Sequence, residues 1–539
     1  MALSGLLAIS ITKQPEVALL LATPSQGLKP RGRGFRITAM RFRRIVFAVF
    51  LSSCFGSVGA LSGPSPEKES DSSQVLDLGS RLELFVDDHL IESAEGVELE
   101  LQHPRRAEKV FVFDQPWEGN TPFHLAVFKD GDLYRMYYRG SSAPDYLIKE
   151  DLDPNEKFVP VHTKVSCYAE SRDGVNWTRP KLGQVEFNGS KENNILEIGG
   201  AAKFNPFKDE NPQTPDSSRY KGIAFARVGD KRGLVVLESA DAVNWRWMTE
   251  EPVITDGAFD SHNLAFWDGV RGTYAALYRD FMHGVRTVKY ATSKDFVHWT
   301  PGEWVDYGDA PSEQLYTTST VPYFRAPHIY LAFPKRLVPW RNPQHSPAVR
   351  NSELAGLSDS VFMSSRDGRH WHRFMEAFIR PGRDRRNWIH RTNFVARGIH
   401  SSAPDEISLY VMQHYTYPTA HLQRMVLRTD GFASASAGYP GGEFVTPPLV
   451  FSGENLRLNY STSAAGSIRV EIQGANGLPM GGFSLQDAIP IWGDEIEGIA
   501  AWRRGRSRDR ENQLKRIVGS VVRLRFVMTD ADLYSIQFK

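Results

Sequence analysis

The sequence contains very little cysteine: Cys54 and Cys167 are the only two in 539 residues. Two cysteines exclude a disulfide framework and a zinc site made of cysteine ligands. The chain also lacks an excess of either charge, because 64 basic residues oppose 63 acidic ones for a net charge of +1. This balance argues against a nucleic-acid-binding protein and against an acidic disordered chain. The glycine-rich motifs of nucleotide-binding proteins are missing as well.

Long apolar runs are missing too, so the sequence predicts no transmembrane helix. The short apolar run 45–51 follows arginines within residues 41–44 and precedes the small residues 58–60. This pattern is typical of a bacterial secretion signal that starts at Met40 and is cleaved after Ala60. Two alternatives remain: a lipid anchor at Cys54, which ends a loose lipoprotein motif, and a buried apolar strand. Residues 1–60 are thus predicted to be a leader, and residues 61–79 a linker.

A repeated motif is the most informative feature of the middle of the chain. Four segments read Ser-x-Asp-x-x-x-Trp, starting at Ser171, Ser239, Ser293 and Ser365, and a degenerate fifth copy covers 429–432. Successive aspartates are 54 to 72 residues apart. Serine and aspartate side chains bind nearby backbone N–H groups in tight turns. We therefore predict that these aspartates form turns and do not act as catalytic acids.

Short β-favouring segments accompany each copy of the motif. Aromatic-rich strands are predicted at 134–138, 220–225, 274–278, 329–333 and 407–411, and first strands at 123–128, 264–267, 318–324 and 392–396. Five such units predict an all-β chain with a five-bladed β-propeller at 80–436, including N-terminal flanking strands. A tandem array of small β-domains is the alternative. Alternating strands at 437–539 predict a C-terminal β-sandwich.

Side chains just before the first strands of a propeller converge on one end of its axis. The candidates there are Trp117, Glu118, Asn120, Asp209, Asp260, His262, Glu313, Gln314, Tyr316, Trp388 and Arg391. Cleavage of a glycosidic bond needs a pair of carboxylic groups, and aromatic faces stack on sugar rings. His262 is interpreted as a hydrogen-bonding histidine rather than a metal ligand.

This layout resembles the five-bladed propeller glycoside hydrolases, the superfamily of arabinanases, β-xylosidases, invertases and levansucrases. The resemblance implies that Glu118 is the base or nucleophile, Asp260 the stabilising carboxylate and Glu313 the general acid. Two alternatives for the first acid are Asp114 and the pair Asp87 and Asp88. The resemblance also implies a C-terminal sandwich of the invertase type.

The sequence therefore predicts a secreted or periplasmic glycoside hydrolase that acts on an oligo- or polysaccharide. The alternative is a carbohydrate-binding propeller that has no catalytic activity. No cofactor and no nucleic-acid partner are expected, although a structural cation could occupy the channel of the propeller. The near-zero net charge favours a neutral partner such as a glycan, and the protein is expected to be a monomer.

Overall fold

A computed structural model describes residues 75–143, 152–153, 155–344, 355–503 and 512–539. The predicted leader, its cleavage site at Ala60 and Cys54 lie outside these residues. Among the described residues the regular structure is β-sheet, apart from short 3-10 turns such as Asp216–Ser218 and Arg385–Asn387. The all-β fold class predicted from the sequence is confirmed. No helix in the described ranges is long and apolar enough to cross a membrane.

Five antiparallel sheets follow one another along the chain. The first contains Phe123–Asp130, Leu133–Ser142, His162–Ser171, Trp177–Thr178 and Ile195–Leu196. The second contains Ala202–Lys208, Tyr220–Val228, Lys231–Ser239 and Arg246–Trp247, and the third Leu264–Asp268, Thr273–Met282, Val285–Ser293 and Glu303–Trp304. The fourth contains Val321–Tyr323, Ala326–Ala332, Met363–Ser365 and His372–Arg373, beside a small sheet of Gln314–Leu315, Lys335–Val338 and Leu357–Ser360. The fifth contains His400–Ala403, Glu406–Gln413, His421–Arg428 and, from the N-terminal side of the chain, Arg105–Val112.

Apolar clusters join these sheets in a closed cycle. One cluster packs the first sheet on the second, another the second on the third, and a further one the third on the fourth. The remaining two pack the fourth sheet on the fifth and the fifth back on the first. Each sheet therefore buries both of its faces against neighbours, which explains why aromatic residues recur in every unit.

The repeated motif forms the same turn in four of the five sheets. In the first copy Ser171 Oγ donates to Asp173 Oδ1 at 2.9 Å, and Asp173 Oδ1 accepts the backbone N–H of Asn176 at 2.7 Å. The indole of Trp177 donates to the carbonyl of Gly174 at 3.2 Å. The same bonds recur in the copies that begin at Ser239, Ser293 and Ser365. The predicted turn-forming role of these aspartates is confirmed.

The degenerate fifth copy differs because its aspartate is buried. Asp430 accepts hydrogen bonds from Tyr323 at 2.7 Å, Arg325 at 3.0 Å and Ser535 at 3.1 Å. Phe432, the aromatic residue of this copy, stacks on Phe362 with ring centroids 5.5 Å apart. This copy links the fourth and fifth sheets to the strand that ends the chain.

A ten-stranded terminal sheet combines both ends of the described chain. Its strands are Leu76–Gly79, Leu82–Leu84, Ser93–Glu95, Val97–Leu101, Ala433–Ala437, Gly442–Val445, Leu449–Phe451, Leu456–Gly474, Asp494–Ile499 and Val522–Phe538. The segment before residue 102 thus pairs with the C-terminal region, whereas the sequence suggested strands that flank the propeller. The reason is that Arg105–Val112 pairs with His421–Arg428 as the outer strand of the fifth sheet. The strand just before it, Val97–Leu101, therefore lies beside the strand just after Arg428, and it pairs with Ala433–Ala437.

Two first strands differ from their predicted bounds. The fourth sheet begins at Val321 rather than at 318, and the fifth begins at His400 rather than at 392. Ser319 and Asn393 have φ angles of 47° and 60°, in the left-handed region that interrupts a regular strand. Residues 392–396 still donate backbone hydrogen bonds to the next strand, as Asn393 does to the carbonyl of Met412 at 2.9 Å.

Candidate functional site

A single buried arginine marks where the five sheets meet. Arg397 Nη1 donates to Asn205 Oδ1 at 2.7 Å, and its Nη2 donates to the carbonyl of Ala265 at 3.0 Å. Its Nε donates to the carbonyl of Thr320 at 3.4 Å, and its own carbonyl accepts the N–H of Val127 at 2.7 Å. These partners lie on or just before the first strands of four sheets, and Arg397 itself precedes that of the fifth. The first strands therefore converge on one axis.

The axis has two ends. We call the end where the first strands begin the upper end, and the opposite one the lower end. Because each sheet is an antiparallel meander, the turns of the repeated motif lie at the lower end, with the ends of the third strands. A cavity of about 710 Å³ opens there, lined largely by apolar residues including Phe128, Trp267 and Phe324. The predicted site residues that precede first strands belong to the upper end.

Asp260 is the predicted acid most open to solvent, with 72% of its side chain exposed. It lies before the first strand of the third sheet, and Lys203 Nζ from the second sheet is 2.9 Å from its Oδ1. Burial of its environment acts to raise the pKa of Asp260, but Lys203, Arg279 and Lys164 outweigh this effect and lower it. Asp260 is therefore an accessible, ionised carboxylate between two sheets.

The ring of Tyr316 lies among several cations. Its centroid is 4.4 Å from Lys335 Nζ, 5.5 Å from the guanidinium of Arg279 and 6.0 Å from that of Arg286. Burial, together with the charge of Asp260, raises the pKa of Tyr316 to about 12. Tyr316 and Asp260 are thus neighbours, as the sequence predicted for residues that precede successive first strands.

Lys335 is the most unusual of these cations. Its side chain is fully buried, and Nζ has no hydrogen-bond partner among the described residues. The rings of Tyr316 and Phe123 are its nearest stabilising contacts, at 4.4 and 5.7 Å from Nζ. Burial, with the nearby charges of Arg391 and Arg286, holds the pKa of Lys335 well below its usual range. An anion at the upper end would stabilise its charged form.

Two buried histidines lie beneath this cluster. The imidazole of His262 contacts the side-chain amide of Asn205, and its ring centroid is 5.8 Å from that of His124. Burial lowers the pKa of His262 to about 3 and that of His124 well below its usual value. Both rings are therefore neutral at physiological pH. In the described part of the chain no group of three or more His, Cys, Asp or Glu side chains could hold a metal ion.

Glu118 is fully buried and does not face the axis cluster. Its carboxylate accepts hydrogen bonds from Tyr138 at 2.5 Å, from Arg179 Nε at 2.8 Å and from the backbone of Gln115 at 3.0 Å. Burial raises the pKa of Glu118 despite the opposing effect of Arg179. This is the geometry of a structural ion pair, because no oxygen of the carboxylate is open to a substrate.

Two of the rival acids for that role, Asp114 and Asp87, are also paired. Asp114 is exposed and lies 3.4 Å from Arg179. Asp87 accepts from Arg366 Nε at 2.8 Å, in the turn of the fourth sheet, and so belongs to the lower end, with Asp88 next to it in the chain. Neither arrangement places a carboxylate beside Asp260.

Glu313 is partly exposed and held by two arginines. Arg373 donates to its Oε2, and Arg336 Nη1 is 3.5 Å away. The next residue, Gln314, accepts from Arg286 Nη1 at 2.9 Å. Since Arg286 also faces Tyr316, the segment 313–316 borders the cation cluster, while the carboxylate of Glu313 itself is turned towards Arg373.

The other predicted binding residues of the first two sheets have structural contacts. The indole of Trp117 donates to Asn194 Oδ1 at 2.6 Å, and Asn120 is buried and donates to the carbonyl of Thr416 at 2.8 Å. Asp209 forms a buried ion pair with Lys221. Asp209 was predicted at the upper end, but the first strand of the second sheet is Ala202–Lys208, so Asp209 follows this strand and lies at the lower end.

Trp388 and Arg391 lie on the loop that precedes the first strand of the fifth sheet. Trp388 is 41% exposed, and its indole donates to the carbonyl of Gly382 at 2.7 Å. Arg391 adds positive charge near both Lys335 and Tyr316. The loop therefore reaches from the surface to the cation cluster.

Sequence reasoning missed the basic residues of the upper end. Arg139, Arg279 and Lys335 each follow the aromatic-rich second strand of their unit by one or two residues. Arg227 stands at the same position in the second unit, so a cation follows the second strand in four of the five units. Because second strands run towards the upper end, this pattern was a usable signal. The predicted site residues instead precede first strands, where the acids lie.

No family model and no curated protein matches the chain. Among solved structures, a glycosyl hydrolase from Bacteroides ovatus is similar at 15% identity and a TM-score of 0.38, over 60% of this chain and 94% of that one. A β-1,2-mannobiose phosphorylase from Listeria innocua is similar at 11% identity and a TM-score of 0.37, over 61% and 98% of the two chains. An N-acetylgalactosamine deacetylase from F. plautii is similar at 10% identity and a TM-score of 0.37, over 62% and 96%. The names of all three proteins describe enzymes that act on carbohydrates.

Proposed function

We propose that this chain is a carbohydrate-active hydrolase whose substrate binds at the upper end of the axis. In this proposal the five sheets are the blades of a five-bladed propeller, and the terminal sheet folds as a β-sandwich beside it. The closed cycle of apolar clusters and the convergence of first strands on Arg397 support the propeller. Such a fold alone does not define an activity, because function depends on the residues of the site.

The observation that carries the proposal is the exposed, ionised Asp260 beside Tyr316. Cleavage of a glycosidic bond passes through a positively charged, oxocarbenium-like transition state. A fixed carboxylate at the mouth stabilises that charge, which is the role the resemblance implies for Asp260. Glu313 is the proposed proton donor, and it must leave Arg373 to reach a leaving-group oxygen. Glu118 is proposed to position the segment 115–120 through its buried contacts.

A second candidate function is carbohydrate binding without catalysis. The observation in its favour is that a cation holds each of the three predicted acids: Arg179 holds Glu118, Lys203 holds Asp260 and Arg373 holds Glu313. A glycosidase needs two carboxylic groups about 5–10 Å apart across one bond. Acids that remain paired separately would bind a sugar but not cleave it.

Hydrolysis by a Glu313→Gln variant distinguishes the two functions. We expect wild type to hydrolyse at least one member of a panel of natural glycans and aryl glycosides. Loss of a general acid lowers turnover by about 10²–10⁴-fold, with the largest loss for substrates that have poor leaving groups. Initial rates on each substrate give the comparison, and Glu303→Gln, which removes an exposed ion pair with Arg369 on an outer strand, is the matched control.

Three results are decisive for this proposal. Equal rates for wild type and Glu313→Gln would remove Glu313 as the acid. Binding of a glycan by wild type without any turnover would favour the binding protein. Failure to bind or cleave any glycan would contradict both functions.

We also propose that the protein is exported, with cleavage after Ala60 or a lipid anchor at Cys54, and acts outside the cytoplasm as a monomer. The described thiol, Cys167, is buried and unpaired, and burial raises its pKa well above the usual value. A protein with this arrangement is stabilised by sheet packing rather than by disulfides.

A further inference from the structure

A cavity of about 750 Å³ lies beside the loop that contains Trp388. Its polar and aromatic lining consists of Arg341, Asn342, Gln344, Arg383, Arg385 and Trp388. This volume is in the range of pockets that hold small ligands such as a short saccharide. The cavity is separate from the Asp260 cluster, and none of its arginines was among the predicted site residues.

The charge of this cavity is entirely positive among its described lining residues. Arg341, Arg383 and Arg385 are exposed, and their guanidinium groups have no hydrogen bond or ion pair with any described residue. Asp384, which lies between Arg383 and Arg385 in the sequence, is already engaged: it accepts from His414 Nε2 at 2.7 Å and from the backbone of Arg386 at 3.0 Å. Three guanidinium groups that have no counter-ion in the described part of the chain favour an anionic ligand.

The surface of Trp388 adds an apolar component. The hydrogen bond from its indole to Gly382 fixes the ring, while 41% of the residue stays exposed. The cap that Asp384 provides fixes the short turn Arg385–Asn387 next to it. A rigid, exposed aromatic ring beside arginines fits a ligand that has both a carbon face and oxyanions. A sugar ring that carries an acidic group has these properties.

One loop connects the cavity with the upper end of the axis. The loop from Gly382 to Arg391 lines the cavity at Trp388 and reaches the cluster of Lys335 and Tyr316 at Arg391. That cluster is also cationic, with Asp260 as the carboxylate that contacts it. A ligand with repeated acidic groups would therefore meet positive charge at both places.

We propose that the carbohydrate bound by this protein is acidic, with carboxylate or sulfate groups held by Arg383 and Arg385 and a sugar ring on Trp388. The proposal rests on the function proposed above and names the class of its substrate. It differs from the expectation of a neutral glycan, because a net charge of +1 over the whole chain conceals a local excess of cations.

Affinity electrophoresis of the full chain in about 0.15 M salt tests this inference. Each acidic polysaccharide in the gels, such as polygalacturonate, alginate or carrageenan, is paired with its carboxyl-reduced or desulfated form. We expect at least one acidic polymer to retard the wild-type protein. The apparent Kd for the neutral form of the same polymer is expected to be at least about tenfold higher. The double variant Arg383→Gln/Arg385→Gln is expected to raise the apparent Kd for the acidic polymer at least about tenfold, since each lost charge-assisted hydrogen bond costs roughly this much.

The control variant removes the same charge elsewhere. Arg172→Gln/Arg246→Gln changes two exposed arginines at the lower end of the first and second sheets and should leave the retardation unchanged. Equal loss in the control would show unspecific attraction and overturn the proposal.

Retardation by neutral and acidic forms of a polymer alike would also overturn the proposal, while leaving the proposed function intact. If no polymer of either kind retards the protein, the proposed function fails as well. Inorganic sulfate is a further competitor. If sulfate displaced the polymer completely and bound with the same affinity, the cavity would be a simple anion site, which would contradict a saccharide ligand.

Discussion

Replacement of Asp260 by asparagine is expected to lower kcat/KM on the best glycoside substrate by about 10³-fold. The substitution keeps the size and most hydrogen bonds of the side chain but removes the negative charge that faces the developing cation. Because Lys203 would then face no carboxylate, the local charge becomes still more positive and opposes an oxocarbenium-like transition state. The measurement is kcat and KM of wild type and Asp260→Asn on the same substrate.

The matched control for this prediction is Asp216→Asn. Asp216 is also an exposed aspartate in an ion pair, with Arg219 just before the second strand of the second sheet, and should tolerate the change. A loss confined to kcat supports a role in the transition state. A rate within about threefold of wild type would show that the charge of Asp260 is not used, and a change in affinity alone would favour the binding protein.

The second large effect is expected at Arg397, on stability. Arg397→Met should lower the free energy of unfolding by about 3–5 kcal/mol, because the buried acceptors at Asn205, Ala265 and Thr320 lose their donor. Urea denaturation followed by tryptophan fluorescence gives this value. Arg397→Lys should be nearly as harmful, since one ammonium group cannot reach partners on several first strands at once.

A control for Arg397 is available on the surface. Arg227→Gln removes an exposed arginine of the second sheet and is expected to change stability by less than about 0.5 kcal/mol. If Arg397→Met were as stable as this control, the first strands would not depend on a common central residue. This result would contradict the convergence of the first strands on Arg397, which defines the axis and its upper end.

Local patterns explain why the turns and strands could be predicted. The bonds of Ser171, Asp173 and Trp177 connect residues within six positions of one another, so the sequence contains all of their partners. The aromatic-rich strands were recognisable for the same reason, because alternation is a short-range property. The strand at 392–396 was wrong in its bounds because a left-handed residue such as Asn393 leaves no clear signal in a β-favouring segment.

The candidate site depends on partners that are distant in sequence. Glu118 was predicted to face the axis, but Arg179, 61 positions away, and Tyr138 hold it in the interior. Asp209 was predicted at the wrong end of the axis because the sequence did not show that the first strand of the second sheet is Ala202–Lys208. A residue before this strand lies at the upper end, and a residue after it lies at the lower end. By contrast, Asp260 and Tyr316 are neighbours as expected. Each lies a few residues before the first strand of its sheet, and these first strands converge at the upper end. Position relative to a strand could be predicted, whereas burial and pairing could not.

The most direct test of the account is a crystal structure of the full chain soaked with the saccharide that binds most tightly. We predict a sugar ring in contact with Asp260 and Tyr316 at the upper end, and an acidic group of the same ligand at Arg383 and Arg385. A saccharide bound instead in the lower cavity near Trp267, or on the terminal sheet, with the upper end unoccupied, would contradict it.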